Sequence, residues 1–118
     1  MKYGQRHYSF STAAFSRTKA HDGENCIDTF RAEEQPSSAF NFIDLTRVPP
    51  GATIGEHTHG SDNEEVYIII QGAGLAQIDG EEVQVSPGHV IVNRPGGTHG
   101  LRNTGNEDLC LVVIEADT

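Results

Sequence analysis

The chain has 118 residues, 21% charged and 36% apolar, with 13 glycines and 5 prolines. This describes one turn-rich globular domain and excludes a coiled coil or a disordered chain. Eight basic against 17 acidic residues leave a formal charge of −9, which repels phosphate backbones and anionic bilayers and sets aside nucleic acid and membrane as partners. The longest apolar runs, around 66–70 and 109–114, are far short of the roughly 20 residues of a spanning helix. Met1 to His7 carry no apolar leader core, so a soluble, cytoplasmic protein is expected.

Residues 1–39 read as an N-terminal arm. Its first 25 or so mix Ser, Thr, Ala and His with Tyr3, Tyr8, Phe10 and Phe15, without a period. The arm either contributes strands to the main body or to a second subunit, or frays as a terminus. Cys26 and Cys110 are the two cysteines. Without a secretion signal they make no disulfide framework, and Cys110, inside an apolar run, reads as a buried free thiol.

Residues 40–118 read as a barrel of strands and turns. Phe40 and Phe42 open a strand that ends before Pro49-Pro50-Gly51. Residues 65–71 are β-branched and aromatic, and Gly72-Ala73-Gly74 closes them. Residues 75–78 and 82–85 flank Asp79-Gly80, a hairpin signal because both positions tolerate positive φ. Ser86-Pro87-Gly88 is another turn, and further strands are expected over 90–93, 100–103 and 109–115. No sustained 3.6-residue apolar period occurs, so a sandwich or barrel is expected. No internal repeat is visible, which leaves one barrel.

Two histidines form His57-Thr58-His59. In a strand, residues i and i+2 project from one face, so both imidazoles can converge on one ion. Glu65 opens the apolar strand that follows, and His99 comes after the turn Pro95-Gly96-Gly97-Thr98. Three imidazoles and a carboxylate suit a borderline divalent ion such as Fe, Mn, Zn, Ni or Co. A His-x-His pair alone is more often plain surface polarity, so the surrounding frame decides the reading.

That frame is Gly51, five residues, His57-Thr58-His59, a spacer, Glu65, six residues, Gly72. A second block runs Gly88, five residues, Arg94-Pro95-Gly96, two residues, His99, three residues, Asn103. Together they resemble the two motifs of the cupin superfamily, across about residues 45–115. The resemblance implies an all-β, double-stranded jelly-roll β-barrel with a divalent transition metal inside one end, held by His57, His59, Glu65 and His99. It implies a small-molecule substrate and a metal-dependent enzyme, with a lean to an Fe or Mn dioxygenase-like oxidoreductase. A sugar or keto-acid isomerase or epimerase using the metal as Lewis acid, and a non-enzymatic small-ligand-binding protein, are the alternatives.

Two departures from the pattern affect the site. The spacer from His59 to Glu65 is five residues, where the family usually has three or four. Counting back from Gly72 selects Glu65 and counting forward from His59 selects Glu64. Alternation does not decide, since residues 66–70 are apolar on both faces. Arg94 stands at the motif's usual proline, either as a surface residue at a strand end or as a grip on an anionic substrate. Arg102 is the other candidate for holding a phosphate or carboxylate. Tyr67 shares the parity of Glu65 and is either packed core or a catalytic group lining the cavity. His89, at the usual aspartate, reads as a surface histidine, and His7 and His21 are expected in solvent. Exposed edge strands favour a homodimer.

Overall fold

The computed structural model describes residues 6–33 and 38–118. Residues 1–5, which include Tyr3 and most of the segment read for a leader, and residues 34–37 of the arm lie outside the described residues. Ten strands follow in chain order: β1 (Ser16–Thr18), β2 (Ile27–Glu33), β3 (Phe40–Val48), β4 (Thr53–Thr58), β5 (Asn63–Gln71), β6 (Gly74–Ile78), β7 (Glu81–Val85), β8 (Val90–Asn93), β9 (Thr98–Asn103) and β10 (Leu109–Asp117). No helix among the described residues is long and apolar enough to cross a membrane.

The strands form two antiparallel sheets, one ordered β1-β2-β3-β10-β5-β8 and the other β4-β9-β6-β7. The chain switches sheets between β3 and β4, β4 and β5, β5 and β6, on either side of β8, and between β9 and β10, which is the jelly-roll way of wrapping two faces around one core. The all-β expectation holds. The arm residues 16–18 and 27–33 add β1 and β2 to the larger sheet, Phe30 facing Leu45 across the β2–β3 pair. In β1, Ser16, Arg17 and Thr18 are all exposed, so no alternation marked it in the sequence.

Both sheets send apolar side chains inward. Val48, Leu101, Leu109 and Leu111 are fully buried, with Ile69 beside them, each contributing about 1.5–3 kcal/mol relative to exposure. In β5 the alternation is complete: Glu65, Tyr67 and Ile69 are buried, whereas Val66, Ile68 and Ile70 face outward. Cys110 is buried and Cys26 half-buried, both as free thiols. Asn103, the last residue of the second motif, is structural. Its amide nitrogen donates to the carbonyls of Val48 and Glu107, 2.7 Å each, and its oxygen accepts from Gly105 N–H.

At the turn between β6 and β7, Asp79 (φ 48°) and Gly80 (φ 86°) take the left-handed conformations that the sequence signalled. Asp79 also reaches across to β9. Its amide donates to the Thr98 carbonyl at 2.8 Å and its carboxylate accepts from Thr98 N–H at 2.9 Å. The hairpin tip is therefore clasped to the first residue of β9.

Candidate metal centre

The pairing of β4 with β9 places Ile54 opposite Leu101 but His57 opposite His99. Three steps along β4 match two along β9, so β4 carries one extra residue, a bulge at Gly55–Glu56. A bulge shifts the phase of a strand. Ile54 points into the core before it, and after it His57 and His59 turn inward while Glu56 and Thr58 are exposed. The same shift is what allows His57 and His99 to face each other across the sheet. The opposite wall is β5, which presents Glu65, 6% exposed, directly across from Asn93 of β8.

The structure brings His57, His59, Glu65 and His99 together, with one donor atom from each within 4.8 Å of all the others. The Nε2 atoms of His57 and His59 are 3.1 Å apart. Glu65 Oε1 is 3.3 Å from His99 Nε2 and 3.6 Å from His59 Nε2. Glu64 is not part of this group; its carboxylate lies 3.7 Å from Arg94 on the outside. The five-residue spacer is taken up by a turn at 60–62, tied to the turn before β9 by Gly96 N–H to Gly60 O and His59 N–H to Gly97 O, 3.0 Å each.

Tautomers decide what the close His57–His59 contact is. His57 Nδ1 lies 2.7 Å from the Gly55 carbonyl and must carry the proton it donates. His59 Nδ1 lies 2.9 Å from Asn63 Oδ1, whose amide nitrogen is turned to Asp62, so it too is the donor. In neutral rings both Nε2 atoms are then bare lone pairs. Two lone pairs 3.1 Å apart make no hydrogen bond. They sit at the separation of adjacent donors on one ion, about 3 Å when each metal–nitrogen bond is about 2.1 Å. The donor set thus fits a divalent transition metal, and the outward nitrogens of two ligands already have the acceptors that orient such rings.

Burial holds the His57 imidazole at about 4, the Gly55 carbonyl opposing and the neighbouring histidines reinforcing the shift. The ring is therefore neutral, with its lone pair available, at physiological pH. Burial alone would raise Glu65, but the hydrogen bond from His99 and the nearby His59 and His57 rings bring it below the ordinary carboxylate value. Glu65 is consequently ionised. Burial, and then the Glu65 charge and hydrogen bond, push the Tyr67 phenol well above its usual value. Tyr67, 2% exposed, thus stays a neutral phenol beside Glu65, and its ring stands edge-on to His99 at 5.5 Å.

Beside the centre lies a cavity of about 150 Å³, lined among others by His21, Thr29, Arg31, Phe42, Glu65 and Tyr67. Arg31 is engaged there with Asp44 through two hydrogen bonds, 2.9 and 3.0 Å, and lies 4.1 Å over the Phe42 ring. The other residues singled out from sequence are elsewhere. Arg94 is 75% exposed beside Glu64, Arg102 pairs with Glu24 at 3.3 Å on the surface, and His89 is exposed next to Ser86. His7 is exposed.

His21 is exposed, as expected, yet its ring is stacked on His57, centroids 3.4 Å apart and planes 8° from parallel. Nothing in the local sequence signals this, because the contact spans 36 positions. Asn93 was also missed. It is 4% exposed and its amide finds no partner among the described residues. His99 Nδ1 is buried in the same condition.

Residues 44–115 match the family described as "Cupin domain". Over 68 residues the chain is 36% identical to an oxalate-binding protein of Thermotoga maritima, covering 58% of this chain and 55% of that protein. Over 73 residues it is 27% identical to a 5-nitrosalicylic acid 1,2-dioxygenase of Bradyrhizobium sp., covering 62% and 34%. The chain thus spans about half the length, or less, of these two curated relatives. The crystal structure of a Thermotoga maritima protein described as a predicted oxalate decarboxylase superposes with a TM-score of 0.89, covering 96% of this chain and all of that one at 22% identity. At that identity the likeness is one of fold.

Proposed function

The chain belongs to the cupin family, and from that premise we propose that it is a metal-dependent protein that takes a small chelating carboxylate. Donor geometry carries the reading: two bare imidazole nitrogens 3.1 Å apart, closed by His99 and an ionised Glu65. Four protein donors leave positions open on a six-coordinate ion, the mark of a reactive and not a purely structural site. When bound, Fe or Mn supplies O2-dependent redox chemistry, and Zn, Ni or Co supplies Lewis acidity. His57, His59, Glu65 and His99 would hold the ion, with the buried Tyr67 packed beside Glu65.

The cavity bounds the substrate. About 150 Å³ is well under the 300–1,000 Å³ of pockets for drug-sized ligands, which favours acids of two to four carbons. The 36% identity to a protein named for oxalate points the same way. We assign an oxidoreductase role of the dioxygenase type, supported by the relative of that name. An isomerase must also shuttle a proton. The cavity's carboxylates are engaged, Glu65 with the histidines and Asp44 with Arg31, which leaves His21 as the group that alternative would use. The oxalate-binding relative favours a second reading, retention of the acid without turnover.

Calorimetry with oxalate and other short dicarboxylates on Fe(II)- or Mn(II)-loaded protein, with O2 and CO2 followed in parallel, separates these. Binding with O2 consumption or CO2 release supports the enzyme, and binding alone supports the second reading. No binding of any short acid by metal-loaded protein overturns both. We further propose a homodimer through the outer face of the larger sheet, where Ile70, Val90 and Val92 are 46%, 59% and 39% exposed. A monomer at micromolar concentration in sedimentation would overturn it.

A further inference from the structure

His21 lies outside residues 44–115, the stretch matched to the family, and it is not one of the four clustered donors. Several independent features nevertheless converge on its ring. The backbone at His21 and Asp22 is left-handed, φ 52° and 55°. Outside glycine that conformation is uncommon, and here the bond from Gly23 N–H to Ala20 O closes a turn around the two residues.

The contacts that hold this turn are visible. Ala20 bridges Ile54, and its carbonyl accepts from Gly55 N–H and Gly23 N–H at 3.0 and 2.9 Å. Glu24 and Thr53 exchange two further bonds, Thr53 N–H to Glu24 O at 2.9 Å and Glu24 N–H to Thr53 Oγ1 at 2.7 Å. A Cβ at position 55 would collide with the His21 carbonyl, so the glycine of the β4 bulge is also the socket for this segment. The outcome is an imidazole laid flat on His57, while the His99 ring meets His57 edge-on at 4.4 Å and the Gly55 carbonyl holds Nδ1. His57 is thereby fixed on three sides. The arm covers one of its faces.

We propose that His21 is a positioning residue for the metal centre, acting through the ring plane of His57, and that metal binding and docking of segment 20–24 are coupled through this stack. The inference rests on the metal-centre reading above. It makes the arm a sensor of the metal. An ion that fixes the His57 ring favours the docked segment, and the docked segment favours the ion by the same factor, as linkage requires. Because His21 also lines the cavity, loading the metal firms one wall of the ligand site.

The test uses Co2+ as probe on the full chain, with affinity from chelator competition, the visible spectrum of bound Co2+, and amide exchange at residues 20–24 with and without Co2+. His21→Asn keeps a residue that tolerates the left-handed backbone but removes the ring. His21→Phe restores a flat ring without nitrogen. In wild type, Co2+ should slow exchange across 20–24. His21→Asn should bind Co2+ about tenfold more weakly, alter its spectrum and lose the exchange response, with metal-free melting close to wild type. His21→Phe should recover affinity to within about threefold. Unchanged affinity and exchange in His21→Asn overturn the proposal. So does a folded His21→Phe that fails to rescue, which would make His21 a metal ligand in its own right. If wild type binds no Co2+, the metal-centre reading itself fails, a result distinct from either of these.

Discussion

The arm and the motif-bearing barrel are held by different forces. Between the sheets, residues such as Leu101, Leu109 and Leu111 lose all contact with water, and the cost of disturbing them is that of opening a close-packed core. The arm adds β2 to the larger sheet and buries Ile27 at 3% exposure, but its remaining contacts are mostly polar and cation–π pairs near the surface. Arg17 grips Asp28 through two bonds of 2.8 and 3.0 Å, Arg47 lies 3.9 Å over Phe15, and Arg102 meets Glu24. Such pairs contribute modestly. Yet the arm delivers His21, Thr29 and Arg31 to the cavity, while the barrel delivers the four candidate ligands. One centre therefore draws on two regions, and the arm, with less apolar burial, is expected to open at the lower cost.

Four perturbations test this contrast, in falling order of effect. Leu111→Ala, inside the barrel, should destabilise the whole fold by about 2–5 kcal/mol in denaturant unfolding, and a loss under 1 kcal/mol would place the core elsewhere. Glu65→Gln should leave unfolding cooperative but weaken binding of a divalent transition metal by at least about 100-fold, since even outer-shell partners carry 10- to 100-fold. The parallel Glu64→Gln should bind as wild type, and the reverse ranking would move the carboxylate to the other glutamate.

Asp28→Asn should cost the arm about 1 kcal/mol, read as faster amide exchange in β1 and β2 with the barrel unchanged. Its pH dependence has a definite sign. The Arg17 hydrogen bonds hold the Asp28 carboxyl below its ordinary value, against the opposing effect of burial. Such a group stabilises above its unfolded pKa, about 3.9, and the contribution is lost as pH falls through the folded value. Protection of the arm amides, relative to their intrinsic exchange at the same pH, should therefore fall below about pH 4 in wild type and not in the variant. Arg94→Ala, 75% exposed, should change stability by less than about 0.5 kcal/mol and leave acid binding intact. A clear loss of binding would return Arg94 to the ligand site.

The same contrast explains what was legible in the chain. His57, His59 and His99 stand at motif spacings, and the glycine turns that set those spacings are local features. The carboxylate was harder. Apolar residues on both faces of β5 erase the alternation that would separate Glu65 from Glu64, because the outward face carries the exposed apolar strip that ends in Ile70. Neither the bulge in β4 nor the stack of His21 on His57 has a sequence period. Each depends on pairing between distant segments, β4 with β9 and residue 20 with residue 54. Asn93, buried opposite Glu65, looked like the end of an ordinary strand.

The clasp at Asp79 has a practical side. A glycine hairpin tip at the surface is where an engineer would splice a tag, a fluorophore or a linker to another domain. Here that tip is bonded at two points to Thr98, the residue next to His99. Cargo inserted between Asp79 and Gly80 would therefore pull on the cupin centre from behind.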